Sequence, residues 1–292
     1  MFQGFEKLSI ATRGATINLV KGGDGPPLLL LHGYPQTHVI WHKIAPRLAE
    51  HFTVIASDLR GYGDSSKPES DPEHANYSKR EMAQDQVEVM ESLGFKQFYL
   101  AGHDRGGRVA HRMALDHPER VARLAVLDIA PTYTMYTTAD MEFATAYYHW
   151  FFLIQPADMP ERLIGADPDY FLVDKLGKWG RDMNAFTPEA LAEYLRCFSN
   201  SATIHASCED YRASATIDLK HDETDLKNGK KLECPVLALW GAKGFVGHKY
   251  DVISTWQALA SGKVSGEALP CGHYLPEEAP EQTCEALLEF FL

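Results

Sequence analysis

The sequence has no excess of positive charge: 28 Lys and Arg stand against 40 Asp and Glu, a formal net charge of −12 over 292 residues. Binding nucleic acid takes a basic stripe along the phosphates, so nucleic acid is not an expected partner. Long apolar runs are missing too. None approaches 18 residues, and no membrane span is expected. The amino terminus, MFQGFEKLSI, lacks a basic segment followed by an apolar stretch, so no signal peptide is expected. Cysteine is scarce: Cys197, Cys208, Cys234, Cys271 and Cys284 are odd in number, scattered and never in a CxxC pair. That usage points to reduced thiols in a cytoplasmic protein rather than a disulfide framework. Repeats and low-complexity segments are also lacking, and 45% hydrophobic against 23% charged residues is ordinary for a globular chain.

What the sequence does contain is an alternation. Short β-like runs at 17–21, 27–31, 52–57, 98–101 and 124–127 are separated by stretches of helical period, among them 78–93, where Met82, Val89 and Leu93 share a face, and 106–117. Strands alternating with helices imply parallel pairing through right-handed crossovers. The run PPLLLLH is continuous rather than alternating, as expected of a strand covered on both faces. From about Thr132 to Lys230 the rhythm breaks into an aromatic-rich helical stretch, then resumes at PVLALWG, with a further run at 265–269 and a closing helix over 280–292. The expectation is an α/β core over 1–131 and 231–292 carrying an inserted helical cap over 132–230.

Within this frame one absence is local. AGHDRGGR follows a strand and precedes a helix, where a Gly-x-x-x-Gly turn commonly presents a nucleophilic serine. Here the central residue is Asp104, between Gly102 and Gly106. A carboxylate is already ionised at neutral pH and needs no base to attack sp3 carbon, in an alkyl halide or an epoxide; serine suits acyl carbon. Two more strand ends carry partners: Asp128 after LAVL and His273 in GHYLPEE. Ligands in open α/β sheets bind at the carboxyl ends of strands, so the three are expected to converge, with His273 as the base that activates water and Asp128 orienting it. WGAKGFVG offers no acid after the next strand, only Ala242 and Lys243, which leaves that role to Asp128 unless it merely caps a turn. The backbone amides of Arg105 and of Tyr34, in HGYP, are the candidate oxyanion hole.

Arg105 and Arg108 stand at i and i+3 after the nucleophile. Their planar forks suit a substrate carboxylate, though they could equally pair with a protein acid. Such a local cationic site answers the difficulty an anionic substrate meets in an acidic protein. Arg112 is expected to pair with Asp116 on the surface. His38 with His42, and His205 with Cys208, lack a third ligand of suitable spacing, so no metal site is expected.

HGYPQTHVIWHKIAPRLA, DLRGYGDSSKP, AGHDRGGR, LAVLDIAPTY, YYHWFFL, CEDYRA and GHYLPEE together resemble the fluoroacetate dehalogenases of the α/β-hydrolase superfamily, over nearly the whole chain. HGxP and GHDxGG alone do not separate these from epoxide hydrolases; the arginine pair and the HW of the cap are more specific. The resemblance implies a mostly parallel eight-stranded sheet flanked by helices, hydrolysis of a haloacetate without any cofactor, halide binding by His149, Trp150 and Tyr211, a small anionic halo-acid as substrate and a homodimer. An epoxide hydrolase that uses Tyr147 or Tyr148 with Tyr211 as acids is the alternative, and a non-catalytic receptor on the same fold is a third reading.

Overall fold

The computed structural model describes residues 1–292. Eight strands form one sheet: β1 (Glu6–Ala11), β2 (Thr16–Gly22), β3 (Pro27–Leu31), β4 (Thr53–Ser57), β5 (Phe98–His103), β6 (Val121–Leu127), β7 (Val236–Gly241) and β8 (Val264–Leu269). Their order is β1-β2-β4-β3-β5-β6-β7-β8. The β1–β2 and β2–β4 pairs are antiparallel, and every other neighbour is parallel. The central strands are apolar on both faces because helices cover both: Leu28, Leu29, Leu30 and Leu31 are all fully buried. β1 escapes the sequence reading because it is an edge strand with little burial, so EKLSIA shows only a weak alternation at Leu8 and Ile10.

Parallel register places the carboxyl ends of β3, β5, β6, β7 and β8 along one edge of the sheet. Leu31 pairs with Gly102, His103 with Leu127, and Gly241 with Leu269. His32, Asp104, Asp128 and His273 therefore all leave the sheet on the same side. Between β6 and β7 the chain contains helices and no strand, running from Thr132 to Lys227. No helix is long and apolar enough to cross a membrane.

Arg112 corrects the sequence expectation. It does contact Asp116, at 3.3 Å, but its side chain is buried rather than superficial. It also reaches Asp222, at 2.6 Å, and Asp225, both on the helix Leu219–Lys227 that closes the helical insertion. One buried guanidinium thus ties the helix Arg105–Asp116 to the end of the insertion. Removing one member of a buried ion-pair cluster strands the remaining charges, which costs about 3–5 kcal/mol. Arg112→Ala is accordingly expected to lower the free energy of unfolding by about 3 kcal/mol, read as a lower urea midpoint at unchanged slope.

Candidate active site

Asp104 is forced into view by its backbone. It sits between β5 and the helix Arg105–Asp116 with φ 45° and ψ −115°, a conformation non-glycine residues rarely adopt. The flanking glycines make the sharp turn possible: a Cβ on Gly102 would meet the Gly106 carbonyl oxygen at 2.4 Å, and one on Gly106 would meet the His32 oxygen at 2.4 Å. The Tyr34 amide donates to Asp104 Oδ2 at 3.0 Å, so the HGYP loop is brought to the carboxylate as the sequence suggested. The Arg105 amide lies in the next peptide, in the first turn of the helix, where backbone N–H groups have no helical partner.

Asp128 also stands at positive φ, 52°, directly after β6. Its Oδ1 accepts the Gly241 amide at 2.9 Å and its Oδ2 meets His273 Nδ1 at 2.6 Å. The carboxylate is thereby fixed from β7 while it fixes the imidazole: with Nδ1–H donating to Asp128, Nε2 is left as the basic nitrogen. The His273 amide donates to the Trp179 carbonyl at 3.0 Å, and the His273 carbonyl accepts from His103 Nε2 at 2.8 Å. Burial opposes charging His273, yet the hydrogen bond and charge of Asp128, with Asp104 behind, prevail and hold its pKa above 6.5. Asp104 shows the mirror case. Burial pushes it up, but His273, Arg108, His103 and Arg105 together hold it below the usual carboxylate range.

The two arginines differ. Arg105 donates from Nε and Nη2 to Asp210 Oδ2 and Oδ1 at 2.9 and 2.6 Å, and from Nη2 to the Asp210 carbonyl and Ser214. Only its Nη1 lacks a partner. One edge of Arg105 is therefore committed to a protein acid, the pairing that the sequence leaves open as the alternative. Arg108 donates to the Ala130 carbonyl at 3.1 Å and Thr132 Oγ1 at 3.0 Å, and its Nε is unpartnered.

Each guanidinium lies over one aromatic ring of the insertion, Arg105 at 4.0 Å from the Tyr211 centroid and Arg108 at 4.7 Å from that of Trp150. His149 completes the group, 5.5 Å from Tyr211 between ring centroids, with Trp150 6.3 Å from Tyr211. Burial, then the nearby cations led by Lys175, hold His149 well below 6.5, so it is a neutral imidazole, and its Nδ1 has no partner. Tyr147 stands 5.4 Å from His149, whereas Tyr148 is half exposed and bonded to Lys175.

Several participants were not foreseen. His103, held down to about 3 by burial and by His273, is a neutral donor that steadies the His273 backbone. Asp210 holds Arg105 while also accepting from Lys79 and, at 2.7 Å, from the Tyr62 hydroxyl. Its only signal was an acid beside Tyr211 in CEDYRA. Trp179 lies 4.5 Å from His149 and 5.6 Å from His273, and nothing in KLGKWGR announced that. His38 and His42 are spoken for, by Asp58 at 2.8 Å and the Val39 carbonyl at 2.9 Å. His205 gathers with Glu161 and Glu209, but Arg212 already bridges those two carboxylates at 2.7 Å each.

A carboxylate on a strained turn, an acid–histidine pair at the same sheet edge and a loop amide on the carboxylate are the groups that hydrolysis through a covalent ester requires. The α/β hydrolase fold family matches over residues 26–280, and the chain belongs to it. It is 49% identical to fluoroacetate dehalogenase from Burkholderia sp over 99% of this chain and 95% of that one. Soluble epoxide hydrolase from Corynebacterium sp. (strain C12) is 37% identical over 95% of this chain and 94% of its own. Among solved structures, an α/β hydrolase from Nostoc sp PCC 7120 is 68% identical with a TM-score of 0.97, covering 99% of each chain.

Asp128→Asn removes the charge that most favours the imidazolium and leaves burial opposed only by the weaker fields of Asp104 and Glu278. The His273 midpoint is expected to fall from above 6.5 to below it, measured by NMR titration of the imidazole.

Proposed function

We propose that the chain is a hydrolytic dehalogenase of small 2-halo acids, converting fluoroacetate and other haloacetates to glycolate and halide through an ester on Asp104. The observation that carries this reading is the stacking of Arg105 on Tyr211 and Arg108 on Trp150 beside Asp104. In a haloacetate the carboxylate and the halogen are one carbon apart. Cations for one end and uncharged donors for the other must therefore adjoin, as they do here.

An Asp104 oxygen attacks the α-carbon, the carbon–halogen bond breaks, and the halide departs with its electron pair. The Trp150 indole, the Tyr211 hydroxyl and neutral His149 are the donors for the nascent anion; a poor leaving group such as fluoride needs that assistance in the transition state. His273 Nε2 then takes a proton from water, whose oxygen adds to the Asp104 carboxyl carbon. The Tyr34 and Arg105 amides stabilise the resulting oxyanion, and its collapse expels glycolate and restores the carboxylate. One water is consumed and one proton released.

The helical insertion serves as the cap that encloses this chemistry. An epoxide is neutral and has no use for Arg108 and the free edge of Arg105, which is why the halo-acid reading is preferred to the epoxide reading. Five unpaired cysteines support a cytoplasmic setting. A homodimer is part of the same reading, supported by exposed Met159, Leu163 and Tyr170 on the insertion, and light scattering after size exclusion tests it.

Fluoride release followed with an ion-selective electrode tests the activity, and Asp104→Ala is expected to lower it by at least about 10³. Activity on epoxides with no halide freed from any haloacetate would overturn the reading. His273→Asn is expected to release one equivalent of halide and retain the glycolyl ester, seen in the intact mass. Acid is expected to separate the two steps. Asp104 stays ionised well into the acid range, whereas His273 is protonated as pH falls through its raised midpoint. Below that midpoint the halide burst should persist while steady turnover drops about tenfold per pH unit.

A further inference from the structure

A cavity of about 520 Å³ opens beside the site without Asp104 in its lining. It reaches the site at His273, and Tyr147 and Trp179 form its inner wall. Lys175, Lys178, Arg181 and Lys243 also line it, and no aspartate or glutamate does. Four other cavities each include at least one carboxylate: Asp222, Glu142, Glu267 and Glu69 respectively. In a chain of net charge −12 a carboxylate-free basic cavity at the mouth of the site is an exception to be explained.

The cations are incompletely neutralised. Lys178 pairs with Asp174 at 2.9 Å, outside the cavity wall. Arg181 donates Nε to the Lys243 carbonyl at 3.2 Å, and neither Arg181 nor Lys243 forms an ion pair. Lys175 is fully buried, with the Tyr148 hydroxyl and the Tyr148 ring at 3.8 Å as partners, and its nearest acid is Asp174 at 3.8 Å. Burial draws its ammonium down to about 8, so it is charged at neutral pH without a close counter-ion. It lies near Trp179, 5.6 Å from that ring.

We infer that this vestibule is a second anion-binding subsite, outside the catalytic one, that captures a small carboxylate on Arg181, Lys243 and Lys178 and hands it past Lys175 to Arg105 and Arg108. The inference rests on the halo-acid reading. Beyond the Debye length of about 8 Å at physiological salt the acidic surface is screened; within it the local field decides whether an anion stays. A cleft of one charge sign between low-dielectric walls concentrates its counter-ion and raises association rates by about 10–10³.

The test is the double variant Arg181→Gln/Lys243→Gln, both exposed side chains whose stems are retained. With chloroacetate, kcat/KM is expected to fall about tenfold while kcat holds, and its dependence on ionic strength to flatten. With neutral chloroacetamide kcat/KM should be unchanged. Unaltered kcat/KM and salt dependence for chloroacetate overturn the inference, as does an equal loss with both substrates, which would mean altered shape rather than charge. A parent protein that frees no halide from any haloacetate refutes the dehalogenase reading separately. In that event trifluoroacetate is the probe, by fluorine NMR. Line broadening that the double variant weakens supports the vestibule, and broadening identical in parent and variant overturns it.

Discussion

An ionised carboxylate kept almost dry is the constraint around which the molecule is arranged. Asp104 is 7% exposed, and a charge taken that far out of water returns to its neutral form unless something holds it. Here the holding is done by cations and dipoles that belong to different parts of the chain: His273 after β8, Arg105 and Arg108 on the next helix, and the Tyr34 amide after β3. Each arrives by the same device, parallel strands ending on one edge of the sheet. The fold therefore supplies the site's electrostatics and not only its scaffold. Loss of register in any central strand would misplace one of the charges that keep Asp104 reactive.

The cost of that arrangement appears one step further out. Arg105 cannot be buried alone, and Asp210 neutralises it from within the insertion. Asp210 in turn accepts from Lys79 and Tyr62, so a network of alternating charge runs from the helix Arg105–Asp116 into the helix Ser201–Ala213. Such a network is rigid because every member stranded by a displacement is left as a buried charge. Tyr211 is next to Asp210 in that helix. The geometry that fixes Arg105 therefore also fixes the ring on which it stacks, and the insertion is joined to the chemistry through a charge as well as through apolar packing.

Much of this was legible in the residues. Gly102-x-Asp104-x-Gly106 stated the turn, the alternation of apolar runs stated the parallel sheet, and the lack of an acid in WGAKGFVG pointed to Asp128, which does hold His273 at 2.6 Å. What escaped was of one physical kind. Asp210, Glu209 and Arg212 are charged residues buried in a helix whose polar positions do not keep to one face, so no periodicity distinguished interior from exterior. Arg112 read as superficial because its partner at i+4 was visible, whereas Asp222 and Asp225 lie more than a hundred residues away. Buried ion pairs are long-range facts, and a local pattern does not encode them. β1 was missed for the opposite reason, since an edge strand hides too little to need a pattern.

The charges within the site are divided by function. Guanidiniums, which stay protonated at any physiological pH, are the groups proposed to hold the substrate carboxylate. The groups proposed for the halide are a phenol, an indole and an imidazole kept neutral by burial and by surrounding cations. A cation there would attract a halide before and after reaction alike, deepening the ground state and slowing release as much as it helped departure. Uncharged donors in a dry pocket act mainly when charge develops, because their dipoles are already oriented and little water competes. Arg105, Arg108 and His273, which hold Asp104 ionised, also join burial and Lys175 in keeping His149 neutral, so one field bears on both protonation states. That economy suits arginines buried against Tyr211 and Trp150 rather than placed at the rim: moved outward they would still attract an anion, but they would no longer decide which groups in the site carry charge.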